Sequence, residues 1–213
     1  MKALLGLLFL GLTAFGATAQ VDTKAKSILD KVSKLTKTYK TVVVDFSMTI
    51  TSPDGNPIKQ KGKAYMKGDK YYLSLPDQEI FCDGKTVSTY ISDDNECYVS
   101  ELEDSDSDMI QPSQLLTIWE KGFTFKYSKE MIFAGKQVHE ILLYPKDKKN
   151  SKYHTIVIRI DKTKNEVVYA HIKGKDGTHM KYTLSKLVKN SSIPDSKFIF
   201  NKSKYPGVEI TEE

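Results

Sequence analysis

The sequence predicts a mainly β protein: an incomplete antiparallel β-barrel or strongly curved sheet of about eleven strands, covered by an N-terminal helix and a short lid helix. Residues 41–50 alternate strictly between apolar and polar side chains, which is typical of a strand with one buried face. Short turn sequences rich in Gly, Asp, Asn and Pro then recur along the chain and leave no room for crossover helices. An amphipathic segment, residues 22–40, precedes the first strand.

The segment 22–40 predicts a helix with Asp22 as its N-cap. Its apolar residues recur at spacings of three and four, and lysines occupy the other face. The apolar set is Ala25, Ile28, Leu29, Val32, Leu35 and Tyr39, and the lysines are Lys24, Lys26, Lys31, Lys34 and Lys37. Such a helix packs on a sheet or covers a cavity, and the pattern alone leaves both open.

Alternation and turn signals predict the strands that follow, separated by tight turns. They are residues 41–50, 59–66, 71–75, 78–82, 86–91, 96–100, 123–127, 131–133, 137–144, 153–160, 166–173 and 178–187. The acid- and serine-rich run 101–108 does not match an EF-hand loop, so we expect a solvated loop, with calcium or a partner contact as the alternatives. Residues 109–119, which include the single tryptophan, predict the lid helix.

The first 19 residues have the features of a secretory signal peptide: Lys2, an apolar run and the small residues Ala17-Thr18-Ala19. We expect cleavage after Ala19, a single domain over residues 20–213 and export of the protein; the family resemblance described below implies a periplasmic location. No later stretch approaches the roughly 20 apolar residues that a membrane-spanning helix needs.

The charge of the chain argues against nucleic acid as a partner. The formal charge is +5, of which Lys2 in the leader contributes one, and Arg159 is the only arginine. Recognition of bases and phosphates depends heavily on arginine. A surface of lysines mixed with aspartates is therefore more typical of ordinary solvent-exposed residues than of a nucleic-acid-binding site.

Cys82 and Cys97 are the only cysteines, and an exported protein meets an oxidising environment. In a simple meander a third strand would separate them, by roughly 9 to 10 Å, which exceeds the reach of a disulfide. A disulfide and two free buried thiols both remain open on the sequence.

The sequence shows no constellation of catalytic or metal-binding residues. His139, His154, His171 and His179 fall within predicted strands without metal-ligand spacing, and phosphate-loop, GxSxG and CxxC motifs are missing. We therefore expect a protein that is not an enzyme and needs no cofactor or metal. The apolar sheet face and the two helices would form either a plain core or a cavity for hydrocarbon.

Several segments, in order and spacing, resemble the periplasmic outer-membrane lipoprotein carrier family (LolA-like proteins), in particular its Bacteroidetes-type branch. They are the leader and the helix 25–39, the strand 41–50, Gly62-Lys63-Ala64-Tyr65-Met66-Lys67, residues 79–90, Pro112-Ser113-Gln114-Leu115-Leu116, Lys121-Gly122-Phe123, Phe198-Ile199-Phe200 and Pro206-Gly207-Val208. The resemblance covers nearly the whole chain after the leader.

The resemblance implies a hydrophobic cavity that takes the acyl chains of a lipoprotein. By position, the covering helix would contribute Ile28, Leu29, Val32 and Leu35, the lid Leu115, Leu116 and Trp119, and the sheet Phe46, Met48, Tyr71 and Leu73. The implied partners are lipoproteins and an ATP-driven extractor in the inner membrane, and the implied state is a monomer. The outer-membrane acceptor stays open. The alternatives are an envelope sensor or regulator on the same fold and, third, a secreted enzyme.

Two positions depart from the family's pattern. Well-studied members carry an arginine after the lysine at position 67, and it ties the lid shut; Gly68 stands there in this chain. A tryptophan common in the Asp-Gly-Lys-Thr block is replaced by Ser88, which would reshape the mouth of the cavity. The resemblance therefore does not predict how the lid is held.

Overall fold

The computed structural model describes residues 22–102 and 114–212. The expected signal peptide, most of the acidic run 101–108 and the first part of the expected lid helix lie outside these residues. No helix in the described ranges combines the length and the apolar character that a membrane span requires.

The N-terminal helix, α1, spans Thr23–Thr36. The carboxylate of Asp22 caps it and accepts a 2.9 Å hydrogen bond from the amide of Ala25. The helix ends at Lys37, so the predicted span 22–40 ran one turn too far. Its inward face buries Ala25, Ile28, Leu29 and Val32.

Twelve strands form a single sheet with the order β12-β6-β5-β4-β3-β2-β1-β11-β10-β9-β8-β7. Their bounds are β1 Val42–Thr51, β2 Ile58–Lys67, β3 Lys70–Ser74, β4 Gln78–Cys82, β5 Thr86–Ile91, β6 Glu96–Glu101, β7 Phe123–Phe133, β8 Lys136–Pro145, β9 Tyr153–Asp161, β10 Val167–Gly174, β11 His179–Lys189 and β12 Glu209–Glu212. Neighbours are antiparallel, except that β12 pairs in parallel with β6. The sheet is curved and stays open, with β7 and β12 as its edges.

The structure confirms the curved sheet and the covering helix and corrects three details. The predicted strands 123–127 and 131–133 are one strand, β7, whose register shifts between Tyr127 and Lys129. Strand β12 was not predicted. The described part of the expected lid helix consists of two short 3-10 turns, Gln114–Leu116 and Ile118–Glu120, which we call the lid segment.

The two faces of the sheet are covered differently. The inner face packs against α1 and the lid segment and forms the main core. On the outer face the chain after β11 covers a smaller aromatic cluster, in which Phe198 lies with Tyr72 and Phe81. Phe200 and Tyr205 extend this cluster towards Tyr90.

Gly62 in β2 allows close packing against β1 and β3. A Cβ at this position would lie 2.6 Å from Cζ of Phe46 and 2.7 Å from the carbonyl oxygen of Ser74. Both distances are shorter than the contacts that Cβ atoms make with non-bonded heavy atoms in proteins. Only a residue without a side chain fits there.

Both cysteines are buried and free. Cys82 on β4 belongs to the core of the inner face. Cys97 on β6 stands opposite Tyr90, whose ring lies 4.3 Å from that of Tyr205 on the outer face. The two thiols therefore lie on opposite faces of the sheet with β5 between them, which settles the open question in favour of free thiols.

Candidate functional site

The candidate site is the apolar interior between α1, the lid segment and the inner face of the sheet. Ten of the eleven residues assigned to it from the sequence are buried and belong to one cluster. They are Ile28, Leu29, Val32, Phe46, Met48, Tyr71, Leu73, Leu115, Leu116 and Trp119. Leu35, on the last turn of α1, is half-buried and lies outside the buried cluster.

Alternation on the strands explains why these side chains meet. Phe46 and Met48 lie two residues apart on β1 and are both buried, so they point to the same face of the sheet. Tyr71 and Leu73 have the same spacing on β3 and are also buried. The hydroxyl-bearing rings in this interior stay neutral, because burial raises the pKa of Tyr71 and raises that of Tyr182 to about 12. The described lining is thus suited to an uncharged, apolar ligand.

The lid segment is fastened to α1 rather than to the sheet. Nε1 of Trp119 donates a 2.9 Å hydrogen bond to Oγ of Ser33. Nζ of Lys37 lies 3.4 Å from the carboxylate of Glu120. Both contacts join the lid segment to the C-terminal half of α1.

The single arginine takes no part in this fastening. Arg159 on β9 lies 3.0 Å from the buried carboxylate of Glu140 and over the rings of Phe133 and Tyr169. Glu140 precedes Ile141, whose side chain enters the interior, so this ion pair belongs to the outer face.

The other end of α1 is anchored to the edge strand β7. The second carboxylate oxygen of Asp22 accepts a 2.7 Å hydrogen bond from the amide of Tyr127. Nζ of Lys24 lies 3.8 Å from the centre of the Tyr127 ring. The N-terminus of the helix is thus pinned to the sheet, while its C-terminus meets the lid segment.

A small cavity opens where α1 ends. Its volume is about 160 Å³, and it is lined by Thr36, Tyr39, Lys40, Thr41, Val42, Met66, Gly68 and Leu116. Val42, Met66 and Leu116 belong to the core, so this surface cavity contacts core side chains. Gly68 lies at the edge of this cavity and is exposed, with a φ of 58°. Because glycine has no side chain, position 68 does not cover the cavity.

The histidines do not form a metal centre in the described part of the chain. No group of three or more potential ligands occurs there. Nε2 of His171 and Nδ1 of His179 lie 3.0 Å apart on neighbouring strands. Burial is the main cause that lowers the pKa of His171 to about 4, and the neighbouring His179 is the second.

Sequence reasoning missed several residues that shape this site. Met66 and Tyr182 enter the interior, and each stands opposite a buried residue of β1, so their direction follows from the pairing of the strands. Ser33 could not have been found, because its partner Trp119 lies 86 residues away in the chain.

An open, curved, mainly antiparallel sheet that wraps an apolar interior under one helix defines the fold class. The chain belongs to the family described as outer membrane lipoprotein carrier protein LolA, whose model matches residues 37–201.

Individual proteins from several organisms match most of the chain. An uncharacterized protein of Methanocaldococcus jannaschii is 25% identical over 197 residues, which cover 91% of this chain and 55% of that protein. The chain therefore spans a little over half of that relative's length. The crystal structure of an uncharacterized conserved protein from Thermus thermophilus matches with a TM-score of 0.55 and 8% identity, over 89% of this chain and 99% of that one. The Mycobacterium tuberculosis lipoprotein LppX matches with a TM-score of 0.48 and 14% identity, over 79% and 99%.

Proposed function

We propose that this protein is a carrier that holds the acyl chains of lipoproteins in the interior between α1, the lid segment and the sheet. The observation that carries the proposal is that ten assigned lining residues, from four separate parts of the chain, form one continuous apolar cluster. Membership of the lipoprotein carrier family supports it.

Burial of hydrocarbon supplies the binding energy. Each methylene group removed from water contributes about 0.8 kcal/mol, so one acyl chain would bind usefully without any polar contact. The lining fits this mode of binding, because its described members are aliphatic, aromatic or sulfur-containing side chains.

Uptake of a chain through the cavity at the end of α1 requires the lid segment to move. This cavity, about 160 Å³, is smaller than the roughly 300–1,000 Å³ of typical ligand pockets. Among the described residues, one side-chain hydrogen bond and one exposed ion pair join the lid segment to α1, each worth about 1 kcal/mol or less. Hydrocarbon burial can therefore offset their loss.

The cellular role follows from the same proposal. After cleavage behind Ala19, residues 20–213 would act in the periplasm as a single-domain monomer without a cofactor. The carrier would receive lipoproteins from an ATP-driven extractor in the inner membrane and would perform no chemistry on them.

A release experiment tests the proposal. Purified protein is mixed with spheroplasts that hold a tagged lipoprotein, and the soluble fraction is assayed for the tag. We expect release with the unaltered protein and a loss of release with Leu116→Asp or Trp119→Asp, because each places a charge in the apolar interior. Ile132→Asp is the matched control, since Ile132 is 73% exposed at the far end of β7.

Circular dichroism establishes that each variant is folded. Absence of release by the unaltered protein would contradict a carrier role. Lipid that co-purifies with the protein in native mass spectrometry, combined with a failure to release, would instead favour a lipoprotein-binding sensor on the same fold.

A further inference from the structure

The positive charge of the chain is concentrated on α1 and its C-terminal extension. Residues 22–40 contain six lysines and two aspartates, whereas residues 41–213 contain 25 basic and 25 acidic residues. The part of the chain after the helix is therefore neutral overall. One surface element carries the whole net charge of +4 found in residues 20–213.

The described ion pairs leave half of these lysines uncompensated. Lys24, Lys26 and Lys37 lie within 4 Å of Glu130, Asp30 and Glu120 respectively. Lys31, Lys34 and Lys40 are exposed and form no ion pair with any residue in the described ranges.

One of the three unpaired lysines, Lys40, lies at the cavity at the end of α1. α1 buries one face in the core and turns its lysines to solvent on the other. Lys40 lines the cavity at the end of the helix, together with the core residues Met66 and Leu116. The solvent-exposed lysine face of α1 thus leads to a surface cavity that contacts core residues.

We propose that the lysine face of α1 is a docking surface for an anionic lipid bilayer, which places the opening at the end of the helix against the membrane. An anionic bilayer is an extended negative surface, and each lysine near it strengthens binding about five-fold at moderate salt. The position and charge of the lysines support the docking surface by themselves. Only its use in cargo transfer rests on the proposed carrier function.

Vesicle co-sedimentation tests this surface. Residues 20–213, without cargo, are mixed with phosphatidylcholine vesicles that contain about one quarter phosphatidylglycerol, and with pure phosphatidylcholine vesicles. We expect binding to the anionic vesicles alone, and loss of this binding as salt rises from about 0.05 M to about 0.5 M.

A matched pair of triple variants locates the surface. K31Q/K34Q/K40Q should weaken binding to anionic vesicles by about 100-fold. K59Q/K61Q/K181Q removes the same charge from exposed lysines on the outer face of the sheet and should change binding less than about three-fold. No binding to anionic vesicles, or equal losses in the two variants, would overturn the inference.

A fluorescent fatty acid separates this inference from the carrier proposal. K31Q/K34Q, which leaves Lys40 in the lining of the cavity unaltered, should bind the fatty acid as tightly as the unaltered protein, because neither lysine lines the cavity or belongs to the apolar cluster. Vesicle binding without fatty-acid binding would contradict the carrier function and leave the docking surface standing. Joint loss of vesicle binding and fatty-acid binding in K31Q/K34Q would contradict a separate docking surface.

Discussion

The indole of Trp119 donates a 2.9 Å hydrogen bond to the hydroxyl of Ser33 and so joins the lid segment to the covering helix. Trp119 is 4% exposed, and Ser33 is half-buried on α1. The contact links two elements that together close the interior. Within the described residues, this side-chain hydrogen bond joins the two elements that cover the inner face of the sheet.

A double-mutant cycle measures this bond. Ser33→Ala and Trp119→Phe each remove it, and we expect a coupling free energy of about 1 kcal/mol in denaturant unfolding. Ser27→Ala is the matched control on the exposed face of α1. A coupling free energy near zero would show that the hydrogen bond does not stabilise the closed state.

Gly68→Arg restores the residue type that the family carries after the lysine at position 67. Gly68 borders the cavity beside Leu116, and a Cβ added there meets no atom within 4 Å. We expect slower release of a bound fluorescent fatty acid, at a cost of roughly 1–2 kcal/mol in stability because φ is positive.

Gly68→Ala carries the same backbone cost without the guanidinium and should leave the release rate unchanged. Equal release rates in Gly68→Arg and Gly68→Ala would show that position 68 no longer communicates with the lid segment.

The two thiols should remain unpaired even after export. Burial raises the pKa of the Cys97 thiol to about 11 and also raises that of Cys82, so both react slowly in the folded protein. In denaturant without reductant, we expect iodoacetamide to add two groups per chain, measured by mass spectrometry. Addition of no groups until a reductant is present would indicate a disulfide and a different strand order.

His171 should make the protein less stable in mild acid. Its pKa falls from about 6.5 in the unfolded chain to about 4, through burial and the neighbouring His179, Lys173, Lys181 and Arg159. Between these values the unfolded chain binds a proton that the folded chain does not. This contribution is therefore complete above about pH 6.5 and declines as the pH falls towards 4.

Because His171 is partly exposed, we expect an effect on the order of 1 kcal/mol after solvent screening. Urea unfolding at several pH values measures it, and His171→Gln should flatten the slope. His154→Gln removes an exposed histidine and serves as the control. The same slope in both variants would assign the acid sensitivity to other groups.

Much of the fold could be predicted because most strands bury one face. β1 shows this clearly, with Val44, Phe46 and Met48 buried in alternation. β7 was divided in the prediction because Lys129 and Glu130 are exposed near a register shift and interrupt the alternation. All four residues of β12 are exposed, so this strand carries no alternating signal.

The residues of the candidate site likewise divide into those that local sequence patterns predict and those whose placement depends on tertiary contacts. Phe46 and Leu73 were found because each lies on the apolar side of a regular strand. Local patterns could not reveal that the lid segment forms 3-10 turns, since its conformation depends on contacts with α1. The inward direction of Tyr182 follows from its pairing with Met48, which is a property of strand order.

Gly62 links a side chain of the apolar interior to the backbone of β2. The Phe46 ring and the carbonyl of Ser74 approach its backbone so closely that even one methyl group would push them apart. Phe46 also lines the apolar interior. Any displacement of this ring towards Gly62 would therefore press on the backbone of β2, so the position of Phe46 and the packing of β2 are coupled.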